Sequence, residues 1–224
     1  MKKFRFLALI TSVVMASGFV WGCNKKDDAK SESVKNEGVT LADGSKFSEL
    51  IAPASDSEDV ELGSYRLSEN DTKLYYEDDV TSPELMQVIE KYFTAIEKRD
   101  YNLYIETALP EYIDAYGKYL ATKDDTVQNS FELQCDNCAA QVGEGFDLTR
   151  IRVEASPEDL SEDYLGILED LMGEGTAQQI KDASDNIITI VFFVMVDVDG
   201  EEKFLAQEGN MVIVEKGGKY YILA

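Results

Sequence analysis

The sequence predicts an α+β fold: N-terminal helices packed on a mostly antiparallel sheet that fills the end of the chain. Three observations carry this. Residues 82–99 place apolar side chains at three- and four-residue steps behind a helix-start signal. Asp100 and Pro110 open two more short helical stretches. From Ile187 onward the chain reads as strand, with turns at Asp199-Gly200 and Gly217-Gly218.

Taken in order, residues 1–22 read as a secretion signal. Lys2, Lys3 and Arg5 precede an apolar run from Phe6 to Val14, and Ala16-Ser17-Gly18 supplies small residues before the cleavage point. Residues 23–37 form a flexible tether of mixed charge, with too few apolar residues to offset the entropy of ordering. Residues 38–81 are an N-terminal extension. In it, Leu62–Leu67 and Lys73–Glu77 flank the polar Ser68–Thr72, the pattern of a hairpin that must pack on the rest of the chain.

Residues 82–224 form the folded domain. Ser82 suits an N-cap and Pro83 the first helical position. Leu85, Val88, Ile89, Tyr92, Phe93 and Ile96 make one apolar face, with Glu90, Lys91, Glu97, Lys98 and Arg99 on the other. Phe146–Val153 alternates like a strand, and Ser156-Pro157-Glu158-Asp159 repeats the helix-start chemistry for a helix that Gly173 and Gly175 stop. Ile187–Val196 is too short to span a bilayer, and its continuous hydrophobicity marks a central strand covered on both faces. Phe93 and Phe192 are expected to be buried, facing one another across the two layers.

Composition removes several kinds of chemistry. The chain has no histidine, which excludes Ser-His-Asp and Cys-His triads and His-ligated zinc or haem. Its net charge is −23, and removal of residues 1–22, which hold three basic residues and no acid, would take it to −26. Such a charge repels nucleic acid, so no nucleic-acid partner is expected. The acids around Asp199-Gly200 lack the spacing of a calcium loop, and no phosphate-binding glycine pattern is present. Neither a metal site, nor a cofactor, nor a catalytic residue is assigned.

Two stretches resemble known families. Val20-Trp21-Gly22-Cys23 resembles the bacterial lipobox. The resemblance implies lipid attachment at Cys23 and an extracytoplasmic protein anchored to the bacterial cell membrane; plain secretion and an uncleaved anchor are the alternatives. Glu90–Tyr101, an aromatic-rich helix ending in a charged turn, resembles the opening of nuclear transport factor 2-like domains. Val196–Gly200 and Gly218-Lys219-Tyr220-Tyr221-Ile222 resemble their last strands. That resemblance implies a curved sheet wrapped around helices into a cone. Family members that are enzymes use an aspartate, alone or with histidine, beside tyrosines; no such residue can be carried over to this chain.

Two groups of side chains remain as candidates. Cys135-Asp136-Asn137-Cys138 is read first as a local disulfide, given the compartment, with free thiols and a redox or metal role as alternatives. Tyr92, Tyr112, Tyr116 and Tyr119 are the candidate pocket residues, the last three falling on one helical face. They could equally be amphipathic core and rim. The expected function is non-enzymatic binding of a small ligand or an envelope protein, with the bilayer itself held through Cys23. The alternative is a small isomerase or hydrolase that uses a carboxylate and a tyrosine inside the cone.

Overall fold

The structure, a computed structural model, describes residues 37–77 and 80–223. The signal, Cys23 and all of the tether but Glu37 lie outside the described residues. The described chain is α+β, with six helices and an open, mostly antiparallel sheet.

Two short strands, β1 (Val39–Thr40) and β2 (Lys46–Phe47), form a small hairpin. Its Leu41 and Phe47 enter the core, and Lys91 ties its turn to the first helix through Asp43, at 2.8 Å. A second hairpin, β3 (Arg66–Leu67) and β4 (Lys73–Tyr75), stands where the sequence placed one. It joins the main sheet, so residues 38–77 supply strands and core side chains to the same body as residues 82–223. At the start of this region the guanidinium of Arg66, which is 4% exposed, donates to the carbonyls of Glu37 and Ser48 at 3.0 and 2.9 Å.

Helix α1 (Pro83–Lys98) begins as its sequence predicts. The Ser82 hydroxyl accepts from the Leu85 amide at 3.2 Å, and proline occupies the first turn. Asp100 likewise caps α2 (Tyr101–Thr107), and Pro110 opens α3 (Pro110–Ala121). The next helix, α4 (Val127–Val142), is capped by Thr126 and buries Val127, Phe131, Cys135, Ala139 and Val142 along one stripe. Strand β5 (Asp147–Ala155) comes next. Helix α5 runs from Ser161 to Met172, later than the Ser156-Pro157 signal predicts. Asp159 is spent on the Ser161 amide and hydroxyl, at 3.0 and 2.6 Å. Helix α6 (Thr176–Ala183) precedes the long strands β6 (Asn186–Val198) and β7 (Glu201–Lys216), and β8 (Lys219–Leu223) ends the sheet.

The strand order is β3-β4-β5-β6-β7-β8. Only the β4–β5 pair in this sheet is parallel, with Leu74 opposite Ile151. The register of β6 on β7 shifts at Phe192–Met195, the signature of a bulge that bends a strand. Phe93 on α1 and Phe192 on β6 are both buried, with ring centroids 5.3 Å apart, which is the expected meeting of the layers. The Phe192 ring lies directly over Gly209 on β7, where any Cβ would overlap it.

Candidate functional site

The helix layer gathers phenols. Tyr92 comes from α1, Tyr104 from α2, Tyr112 and Tyr116 from α3, and Tyr164 from α5. Tyr112 is 1% exposed and Tyr92 4%. Tyr112 stacks on Tyr116 at 5.6 Å, and Tyr116 on Tyr119 at 6.4 Å, which continues the column to the rim, where Lys123 sits over the last ring. Tyr92 meets Tyr104 at 6.1 Å, and Tyr104 stacks on Phe131 of α4 at 4.8 Å.

Three of the four candidate tyrosines therefore share one interior, while Tyr119 stands at its edge. Tyr104, which clusters with these tyrosines in the sequence, joins them here, whereas sequence reasoning missed Tyr164. Tyr164 lies far from the others in sequence and reaches the group only because α5 folds back over α3.

Several hydroxyls are held by the protein. Gln134 of α4 donates to the Tyr92 oxygen at 2.6 Å. Tyr116 shares a 2.6 Å hydrogen bond with Ser130, and Tyr164 donates to the Leu223 carbonyl at 2.9 Å. Burial pushes the pKa of each of these five phenols above its ordinary value, because a phenolate would lose its hydration. Their neighbours act both ways, the hydrogen bonds to Gln134 and Ser130 lowering the pKa of Tyr92 and Tyr116. Tyr92 raises the pKa of Tyr104, Tyr112 and Tyr164, and both α4 thiols raise that of Tyr92. The cluster stays neutral and can offer hydrogen bonds, stacking and apolar contact.

Carboxylates are buried elsewhere. Glu90 is 5% exposed, although it was expected on the polar face of α1. The β3–β4 hairpin covers that face and makes Glu90 an anchor. The Glu90 carboxylate accepts from Asn70 Nδ2 at 3.2 Å and from the Ser68 hydroxyl, whose oxygen in turn accepts from the amides of Asn70 and Thr72. Burial raises its pKa, outweighing these bonds and the nearby Lys91 and Lys98.

Asp59 is the second buried acid, 4% exposed, on a 3₁₀ turn (Glu58–Leu62) laid over the outer face of the sheet. It meets Lys73 Nζ at 2.6 Å and Arg150 Nη2 at 2.7 Å. Burial alone would raise its pKa, but the two cations bring it below the ordinary value.

The two cysteines lie three residues apart on α4, Cys135 buried and Cys138 half-buried. Both are free thiols in this structure. In a continuous helix they serve as small apolar side chains in the seam with α1, and burial pushes each thiol up to about 11. Among the described residues no group of three or more Cys, Asp and Glu is placed to hold a metal ion, and no helix is long and apolar enough to cross a membrane.

The class these features define is an α+β domain whose helix layer encloses a neutral phenol cluster. Comparison of the chain with protein-family models, with curated proteins and with solved structures finds no match.

Proposed function

We propose that this protein is an extracytoplasmic lipoprotein, tethered through Cys23, whose nuclear transport factor 2-like domain binds a small ligand or an envelope protein without chemistry. The tether rests on the residues around Val20-Trp21-Gly22-Cys23. Support for the domain comes from helices α1–α3, from the β6–β7–β8 meander that ends the sheet, and from a parallel bridge between Ala108, after α2, and Ile222 on the last strand.

The observation that carries a binding role over a catalytic one is the separation of the helix-layer phenols from the buried acids. Tyr75, which does lie beside Asp59, is outside that cluster, and Lys73 and Arg150 already hold the carboxylate. A tyrosine–carboxylate pair needs both groups within hydrogen-bond reach of one substrate. Glu90 and Tyr92 are two residues apart on α1, so they project to opposite sides of the helix. Glu90 is committed to the hairpin turn, and Asp59 lies beyond the sheet.

The tethering half is tested by cell fractionation of Cys23→Ala. The native protein should need detergent to leave the membrane, and the variant should be soluble or remain uncleaved. A fully processed variant that still needs detergent would overturn the lipid anchor. The binding half is tested by ligand-induced changes in melting temperature, with Tyr112→Phe as the control. Substrate turnover abolished by Tyr92→Phe would favour the isomerase or hydrolase reading instead.

A further inference from the structure

We infer that Cys135 and Cys138 are a redox-sensitive seam between α4 and α1, entered through Cys138. The supply of an oxidant in the cell rests on the extracytoplasmic reading above; the chemistry of the pair does not.

Access sets the order of events. Cys135 is 1% exposed and cannot meet a disulfide from solution, whereas Cys138 is half-buried. The Cys138 thiolate attacks one sulfur of a small-molecule or protein disulfide and expels the other as a thiolate, leaving a mixed disulfide. Cys135 then loses its proton and attacks the Cys138 sulfur, expelling the second thiolate. Two protein thiols are oxidised to one disulfide, and the disulfide reagent is reduced to two thiols. This order is the reverse of one in which the first cysteine of the motif leads.

Neither thiol has help from a helix N-terminus, since both lie in the second half of α4. Burial leaves very little thiolate at neutral pH, so exchange is slow and the pair is a responder, not a thioredoxin-like catalyst.

The consequence is geometric. Side chains three apart on a helix have Cβ atoms about 5–6 Å apart. A disulfide brings them to about 3.8 Å. Closing the bond must therefore deform this turn of α4. That turn carries the attachments of α4 to α1: Gln134 donates to Tyr92, and Asp136 pairs with Arg99 Nη1 at 2.6 Å. Oxidation should loosen both, so that the redox state is felt at the phenol cluster through Tyr92.

The test uses the full chain in a Cys23→Ser background, so that only the α4 thiols react and lipidation plays no part. The protein is equilibrated with mixtures of oxidised and reduced glutathione, quenched and alkylated, and its intact mass and amide hydrogen exchange are measured. The expected result is an internal disulfide, with faster exchange in residues 130–142 and at the end of α1. Cys135→Ser should trap a glutathione adduct on Cys138, and Cys138→Ser should remain unmodified while folded. Two alkylated thiols in the most oxidising native mixture, when the same mixture joins them in urea, would overturn the proposal. So would a disulfide that leaves exchange in both helices unchanged, or an adduct that forms first on Cys135. Failure of the lipoprotein reading would show only in the Cys23→Ala fractionation.

Discussion

Asp59 and Glu90 both expose little surface, and both fasten the β3–β4 hairpin, yet their electrostatics run in opposite directions. Asp59 grips the hairpin from the outer face through Lys73, with Arg150 of the neighbouring strand on its other side. Glu90 grips it from the helix side through the neutral donors of Ser68 and Asn70. Two cations lower the first pKa despite burial, while burial raises the second despite its hydrogen bonds. At Asp59 two cations in direct contact outweigh burial, whereas at Glu90 neutral donors and more distant lysines do not.

The sharpest way to break this contrast is Asp59→Asn. Removing one member of a buried ionic cluster leaves its partners uncompensated, and among the described residues Arg150 then keeps the Glu202 carboxylate, at 3.5 Å, and the Tyr75 ring. The loss should be about 3 kcal/mol, the lower end of the usual range because Lys73 is 35% exposed and solvent softens its loss. Urea unfolding of the full chain measures it; a loss under about 0.5 kcal/mol would mean that the cluster is ornamental.

Glu90→Ala should cost about 1–3 kcal/mol by leaving the Ser68 and Asn70 donors unpaired inside the protein. Glu90→Gln keeps an acceptor and removes the charge, so at pH 7 it should change stability by less than about 1 kcal/mol. If the glutamine variant lost as much as the alanine variant, the charge and not the hydrogen bonds would be the anchor.

Titration separates the two acids by sign. Asp59, with its folded pKa below the ordinary 3.8, contributes stability that is present above that value and lost as pH falls through the depressed folded pKa. Glu90, with its folded pKa above the ordinary 4.5, contributes stability that is present below that value and lost as pH rises through the raised one. Unfolding free energy measured against pH should therefore have a shallower acid-side slope in Asp59→Asn, with Asp43, Glu111 and Asp159 supplying the rest, and a smaller opposite slope in Glu90→Gln, with Glu97 supplying the rest. The smallest expected quantity is the coupling between the two substitutions. Lying on opposite faces of the hairpin, they should add to within about 0.5 kcal/mol, and a larger value would show that the hairpin transmits strain between its anchors.

The contrast also marks where sequence reasoning reaches and where it stops. Helix starts at Ser82-Pro83 and Asp100 were legible because caps are local: one side chain satisfies amides two or three residues away. The start at Pro110 was legible from the proline itself, which suits the first helical turn. The strand pairs across Asp199-Gly200 and Gly217-Gly218 were legible for the same reason. Glu90 was misplaced because an amphipathic reading allots one buried face per helix, and α1 is covered on a second face by strands that precede it in the chain. Asp59 gave no signal at all; it stands in an acidic run, and only folding brings Lys73 and Arg150 to it. The false start at Ser156-Pro157 shows that a good capping sequence can be diverted when its acid finds other donors, as Asp159 does at Ser161.

The two bonds from Arg66 set the route by which a pull would enter the molecule. Tension on the residues before 37 first reaches the Glu37 carbonyl and passes through the guanidinium into β3, at the edge of the sheet. Because Arg66 also grips Ser48, the same tug loads both ends of the segment between them. The hairpin edge would then yield as a breakaway coupling, peeling one bond at a time, while the aromatic centre around Phe93 and Phe192 stayed out of the line of force.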